Sequence, residues 1–174
     1  IPWIEDLTIA KSLELLSYDN DVQWIIQGEV RVTAGTNRNI TILGMRNLSG
    51  DFGYTSSSGT ERSTHVKVID CMFEDGGASL GSDAFVMDVI HCTFFNGGTY
   101  AYNGNVIGCD ITNGRISFYN SNSHYGETCQ IIGNKMTNPD SETYGSQGID
   151  LNSLAYDFEI KNNLIPACRG ISVD

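Results

Sequence analysis

One short pattern constrains this chain more than anything else in it. An apolar pair, a variable residue, a Cys or Asn, another variable residue and a large apolar residue return five times. The copies are Val68-Ile69-Asp70-Cys71-Met72-Phe73, Val89-Ile90-His91-Cys92-Thr93-Phe94, Val106-Ile107-Gly108-Cys109-Asp110-Ile111, Ile131-Ile132-Gly133-Asn134-Lys135-Met136 and, weakest, Glu159-Ile160-Lys161-Asn162-Asn163-Leu164. The Cys/Asn position advances by 21, 17, 25 and 28 residues, so a fixed unit alternates with connections of variable length. Ile, Cys/Asn and the large apolar residue stand two apart, the period of a strand with one buried face. Turn signals follow at Glu74-Asp75-Gly76-Gly77, Phe95-Asn96-Gly97-Gly98, Thr112-Asn113-Gly114 and Thr137-Asn138-Pro139. A second alternating run comes next: Ala78-Ser79-Leu80, Tyr100-Ala101-Tyr102, Ile116-Ser117-Phe118, Ile149-Asp150-Leu151 and Ile171-Ser172-Val173.

Units of roughly 20 residues with at least two strands leave no room for a crossover helix and a return. The economical solution is a coil in which each strand pairs in parallel with its counterpart one turn away, about 4.8 Å along the axis. The predicted fold is therefore all-β, a parallel β-helix (solenoid) of about six or seven rungs. Residues 1–48 hold five strand-like segments (Leu7-Thr8-Ile9, Leu13-Glu14-Leu15, Val22-Gln23-Trp24-Ile25, Val30-Arg31-Val32 and Ile40-Thr41-Ile42-Leu43) and read as irregular N-terminal rungs. Residues 49–64, rich in Ser, Gly and Thr, read as a projecting loop, and 65–174 as regular rungs. The expectation for 1–174 is one domain, a segment of a longer chain or assembly.

Composition removes several classes. Ten basic against 21 acidic residues give a net charge of −11, the wrong sign for a nucleic-acid binder or an anionic-membrane binder. With 40% hydrophobic and 18% charged residues the chain is not disordered, and no apolar run approaches the roughly 20 residues of a membrane-spanning helix. Five cysteines are too few, and odd in number, for a disulfide scaffold.

The Ile-x-Asn/Cys-x-Phe/Ile unit, followed by Asn-Gly and then by Gly148-Ile149-Asp150-Leu151 or Gly170-Ile171-Ser172-Val173, resembles the pectin-lyase-like right-handed parallel β-helix repeat. The resemblance covers about residues 65–174 well and 7–45 loosely. It implies a single-stranded right-handed coil of the kind found in polysaccharide-active enzymes, carbohydrate-binding proteins, bacterial surface proteins and phage tailspikes. The motifs of its polygalacturonase-like hydrolases (Asn-Thr-Asp, Asp-Asp, Gly-His-Gly, Arg-Ile-Lys) do not occur in this chain. Its pectate lyases use a calcium-binding carboxylate cluster with an Arg or Lys base. Here Asp70, Asp88 and Asp110 fall at different slots, with no Arg between Arg62 and Arg115.

Stacking the repeats makes Cys71, Cys92, Cys109, Asn134 and Asn162 one buried ladder. Reduced core thiols, a disulfide or a metal site are the alternatives; parallel Cβ vectors and the lack of paired ligand spacing favour the first. Cys129 and Cys168 are a second candidate pair. Asp70 beside His91, with Asp88 or Glu74 near, is a candidate general acid–base pair, although the favoured reading is that opposite charges on neighbouring strands simply neutralise each other. For carbohydrate binding the candidates are Tyr100 and Tyr102 as ring-stacking platforms with Asp110 and Lys135, an internal stack being the plainer reading of the aromatics. No metal or cofactor is expected; calcium enters only with a lyase, or in the isolated turn Asp19-Asn20-Asp21. The expected function is a non-catalytic extracellular structural or adhesive module, of bacterial-surface or phage-fibre type, with a glycan-recognition face. A polysaccharide lyase or glycoside hydrolase working in a groove along the coil is the alternative. Expected partners are a glycan or cell-surface polysaccharide and further rungs or copies of the chain; the expected location is extracellular, at a cell surface or on a virion.

Overall fold

The computed structural model describes residues 3–17, 24–56, 63–119, 128–137, 148–152, 157–166 and 170–173. Its strands form three parallel sheets of eight, seven and six strands, and neighbours in every sheet are three apart in chain order wherever the described strands run in unbroken triplets. This is the succession of a parallel β-solenoid. One turn consists of Thr64–Ile69 in the seven-stranded sheet, Met72–Phe73 in the six-stranded sheet and Ala78–Leu80 in the eight-stranded sheet. The next turn, Phe85–Ile90, Thr93–Phe95 and Thr99–Ala101, lies on it in register: Val89 opposes Val68, Phe94 opposes Phe73 and Tyr100 opposes Ser79. Each unit thus has three strands, one more than the minimum read from the repeat. No helix among the described residues is long and apolar enough to cross a membrane.

Two segments differ from the sequence reading. Phe52–Ser56, placed in a projecting loop over 49–64, is a strand of the eight-stranded sheet, and Phe52 is completely buried. A single Phe among Ser, Gly and Thr suffices to dock it, because Val30 and Ala78 above and below supply the pairing. The tip at 57–60 lies outside the described residues, as do Asp19-Asn20-Asp21 and Asn138-Pro139. In the N-terminal part an additional strand, Met45–Asn47, completes the second turn.

The corner between the seven- and six-stranded sheets sets the inside–outside pattern. Asp70 (φ 51°), His91 (φ 52°) and Asn162 (φ 56°) sit there in the left-handed region, in column with Gly44, Gly108 and Gly133. Asn, Asp and His are the non-glycine residues that tolerate this conformation best. The left-handed residue breaks the period of two. Val68 and Val89 point inward, Ile69 and Ile90 outward, and Cys71 and Cys92 inward again. Reading Ile, Cys and Phe as one buried face across this corner was therefore wrong for the Ile. Since Asp70 is exposed, substitution there would ordinarily change stability by less than about 0.5 kcal/mol. At φ 51° we expect Asp70→Val to cost about 2 kcal/mol, because a β-branched side chain is a true outlier there, and Asp70→Asn almost nothing. Paired thermal melts check it; equal melting temperatures would remove the conformational reason for Asp70.

Inside, the columns are filled by like on like. Phe73 and Phe94 stack with centroids 4.9 Å apart and planes 4° from parallel, and Ile111 and Met136 continue the column, all buried. The large exposed apolar residues concentrate in the first and last turns: Trp3, Ile4 and Leu16 at one end, Leu164, Ile171 and Val173 at the other.

Candidate functional site

The ladder just past the corner is a hydrogen-bond device. Cys71 Sγ donates to the carbonyl of Ile42 at 3.7 Å, Cys92 Sγ to Val68 at 3.3 Å and Cys109 Sγ to Val89 at 3.6 Å, each one turn away. Asn134 Nδ2 makes the same contact with Val106 at 2.9 Å, and Asn163 Nδ2 with Ile131 at 2.7 Å. Asn adds what Cys lacks, an acceptor for the neighbouring turn's amide: Cys109 N–H donates to Asn134 Oδ1, and Asn134 N–H to Asn163 Oδ1, both at 2.9 Å. The fifth ladder member is thus Asn163. Asn162 is exposed at the corner, because the last copy aligns one residue later than the sequence reading placed it: Ile160 pairs with Ile131. Met45 extends the column at the other end, opposite Cys71 one turn on. Cys71, Cys92 and Cys109 form no disulfide with one another, and burial pushes the Cys92 thiol well above its ordinary range. Cys168 lies outside the described residues; Cys129 Sγ meets Asn103 Oδ1 at 3.7 Å. No cluster of three or more metal-ligating side chains occurs among the described residues.

Asp70 and His91 do come together, with Nδ1 3.7 Å from Oδ1, but side-chain exposures of 59% and 63% leave the pair in solvent on a convex corner. The nearest carboxylates are engaged elsewhere: Asp88 Oδ1 accepts from Asn105 Nδ2 at 2.7 Å, and Glu74 pairs with Arg46 through Nε at 2.8 Å.

The four carbohydrate candidates split between two faces. Asp110 and Lys135 oppose each other in register on the six-stranded sheet, and with Thr93, Thr112, Thr137 and Phe95 they line a shallow groove of about 210 Å³. Tyr100 and Tyr102 belong to the eight-stranded side, with ring centroids 6.1 Å apart; Tyr119 lies 4.8 Å from Tyr100. Tyr100 points outward, since Thr99 and Ala101 on either side of it are buried, so the internal stack does not apply to it. Partial burial, then the neighbouring phenols of Tyr102, Tyr119 and Tyr54, push its hydroxyl up to about 12. A phenol that ionises later in the folded chain than in the unfolded one stabilises the fold up to pH about 10, and that contribution is lost as pH rises toward 12. Stability should therefore fall between pH 10 and 12, less steeply in Tyr100→Phe; equal slopes in denaturant titrations would contradict this origin of the shift.

Tyr100 walls the larger concavity, an open groove of about 510 Å³ along the corner between the six- and eight-stranded sheets. Its floor is backbone: a Cβ on Gly97 would stand 1.8 Å from the Gly76 oxygen, and one on Gly114 1.5 Å from the Gly97 oxygen. Asn96 and Asn113 form a rim that runs along the axis. Asn113 Nδ2 donates to Asn96 Oδ1 and Asn96 Nδ2 to Asp75 Oδ1, both at 3.2 Å. Three side-chain oxygens of groove residues are buried and have no hydrogen-bond partner: Thr99 Oγ1, Asn113 Oδ1 and Ser117 Oγ. Beyond Ser117 lies Asp150, its register partner, which is 4% exposed and accepts from Tyr119 Oη at 3.3 Å, with Arg115 Nη1 3.9 Å away. The sequence reading missed this site, whose parts are up to 66 residues apart between Asp51 and Ser117; the recurrent Gly-Gly and Asn-Gly turns were its one signal. Chemically it offers hydroxyl and amide groups, an aromatic wall and one arginine. Its described lining residues include no nucleophile–base pair.

No protein family, curated protein or solved structure matches this chain.

Proposed function

We propose that this chain is a non-catalytic module that binds a neutral glycan in the groove walled by Tyr100. The observation that carries the reading is an open groove in which an amide rim, Asn96 and Asn113, stands beside the outward ring of Tyr100. A polyhydroxylated chain supplies donors and acceptors to the rim amides while its ring faces stack on phenol. Neutral sugar suits a chain of net charge −11 better than a uronate polymer, which would need calcium to bridge like charges. The finer architecture belongs to the same proposal: a single-stranded coil of six or seven turns, right-handed as parallel crossovers are by strong preference, similar to pectin-lyase-like repeat proteins. So does its setting at a cell surface or on a virion, in assemblies made with further turns or copies.

Affinity electrophoresis in neutral and acidic polysaccharides, with and without calcium, tests the function. Retention without product release is expected, weakened at least tenfold, about 1.4 kcal/mol, in Tyr100→Ala and Asn113→Ala proteins of unchanged circular dichroism. Absence of retention in every polysaccharide would refute it. Released oligosaccharide that His91→Ala abolishes would replace it with a lyase or hydrolase, a reading favoured only by the 3.7 Å contact of His91 with Asp70.

A further inference from the structure

The outward turn taken at each corner lays an aliphatic stripe on the outside of the coil. Leu16, Leu43, Ile69, Ile90, Ile107 and Ile132 are register neighbours through six successive turns of the seven-stranded sheet. None is in the buried core; Leu16 is 54% exposed and the other five are partly exposed. Side chains stacked at about 4.8 Å make a continuous ridge, and outward aliphatics at six consecutive positions exceed the isolated surface hydrophobics that need no explanation. On one side the ridge is flanked by Glu14, Thr41, Lys67, Asp88, Asn105 and Gln130, and on the other by the corner column with Asp70 and His91.

We infer that this stripe is the seam by which two copies of the chain pack side by side, with their axes antiparallel. Only a surface with the same axial rise can match six rungs at once, and a second copy has it. Antiparallel packing centred between Ile69 and Ile90 sets Ile69 against Ile90, Leu43 against Ile107 and Leu16 against Ile132 of the copy. The two-fold brings each flanking column against itself in reversed order. Lys67 then faces Asp88 of the copy, Asp70 faces His91, Thr41 faces Asn105, and no like charges meet. Parallel packing would oppose each rung to itself and so place Lys161, which continues the stripe after Ile132, against its own copy. Such a seam is isologous, as most homodimer contacts are.

Sedimentation of the 174-residue chain at 1–100 µM, about the range of weak homodimers, tests it. The expected result is a dimer that becomes a monomer in Ile90→Glu and Ile107→Glu proteins, with circular dichroism and melting temperature retained since both side chains face outward. Lys67→Glu should weaken association at least tenfold, and Lys67→Glu with Asp88→Lys should restore it. A monomer throughout the range, or a dimer indifferent to Ile90→Glu and Lys67→Glu, would overturn the inference. Restoration by Asp70→Lys in place of Asp88→Lys would overturn the antiparallel arrangement. Glycan retention is unaffected by any of these outcomes, because the groove lies on another face.

Discussion

Asn134→Ala is expected to lower the melting temperature by about 10 °C. Asn134 is 1% exposed and closes the ladder in both directions, accepting from Cys109 N–H and donating to the Val106 carbonyl, with Asn163 Oδ1 beside it. Truncation leaves the Cys109 amide buried without a partner, at about 1–3 kcal/mol, and takes from the Val106 carbonyl the second of two donors, the first being its sheet bond to the next turn, at about 1 kcal/mol. A total near 3 kcal/mol corresponds to roughly 10 °C in a chain of this size, at about 2–4 °C per kcal/mol. Asn134→Cys should cost only about 1 kcal/mol, since a thiol makes the carbonyl contact in three other turns and only the amide goes without an oxygen. Calorimetry separates the two. A loss below about 0.5 kcal/mol for Asn134→Ala would mean that the column is held by packing, with the polar bonds incidental.

The second large effect is steric. In Gly97→Ala the new methyl would stand 1.8 Å from the Gly76 carbonyl oxygen and 2.5 Å from its carbon. Both are backbone, in a turn whose residues on either side, Asp75 and Gly77, are bonded to the turn beyond, so the two turns must separate. The expected cost is about 3 kcal/mol or more, at the upper end of overpacking, together with loss of glycan retention as the groove floor deforms. Gly133→Ala is the control. Its φ is 68° with no atom within 4 Å of the new methyl, so only left-handed strain of about 1–2 kcal/mol applies. Equal losses at both positions in urea melts would show that backbone conformation, and not contact between turns, governs these glycines.

Much of the architecture was legible because a coil repeats its constraints. The Cys/Asn slot, the large apolar residue and the glycine turns each recurred at one structural position, which was enough to predict parallel pairing and the buried column. What failed, failed at the corner. Counting by twos from Ile69 to Phe73 ignores the left-handed residue between, and so put the isoleucines inside; the stripe they form outside was invisible for the same reason. Aligning the fifth copy on its apolar pair rather than on the left-handed slot moved it by one residue. The set Gly44, Asp70, His91, Gly108, Gly133 and Asn162, every member a type that tolerates positive φ, was the signal that would have corrected both. Phe52 was lost in the polar composition around it. The groove could not be read locally, since no two of its turns are adjacent in sequence.

The unequal connections have one more consequence. Cys92 and Cys109 are 17 residues apart and Asn134 and Asn163 are 29 apart, yet each pair is separated by a single step of the ladder. Distance along this molecule is therefore counted in turns and is indifferent to residues. Extra residues in a connection leave every described column where it was, whereas removing one whole turn would shorten the rod by a strand spacing and rejoin all columns intact. Such a chain can change what it displays and how far it reaches as two independent variables.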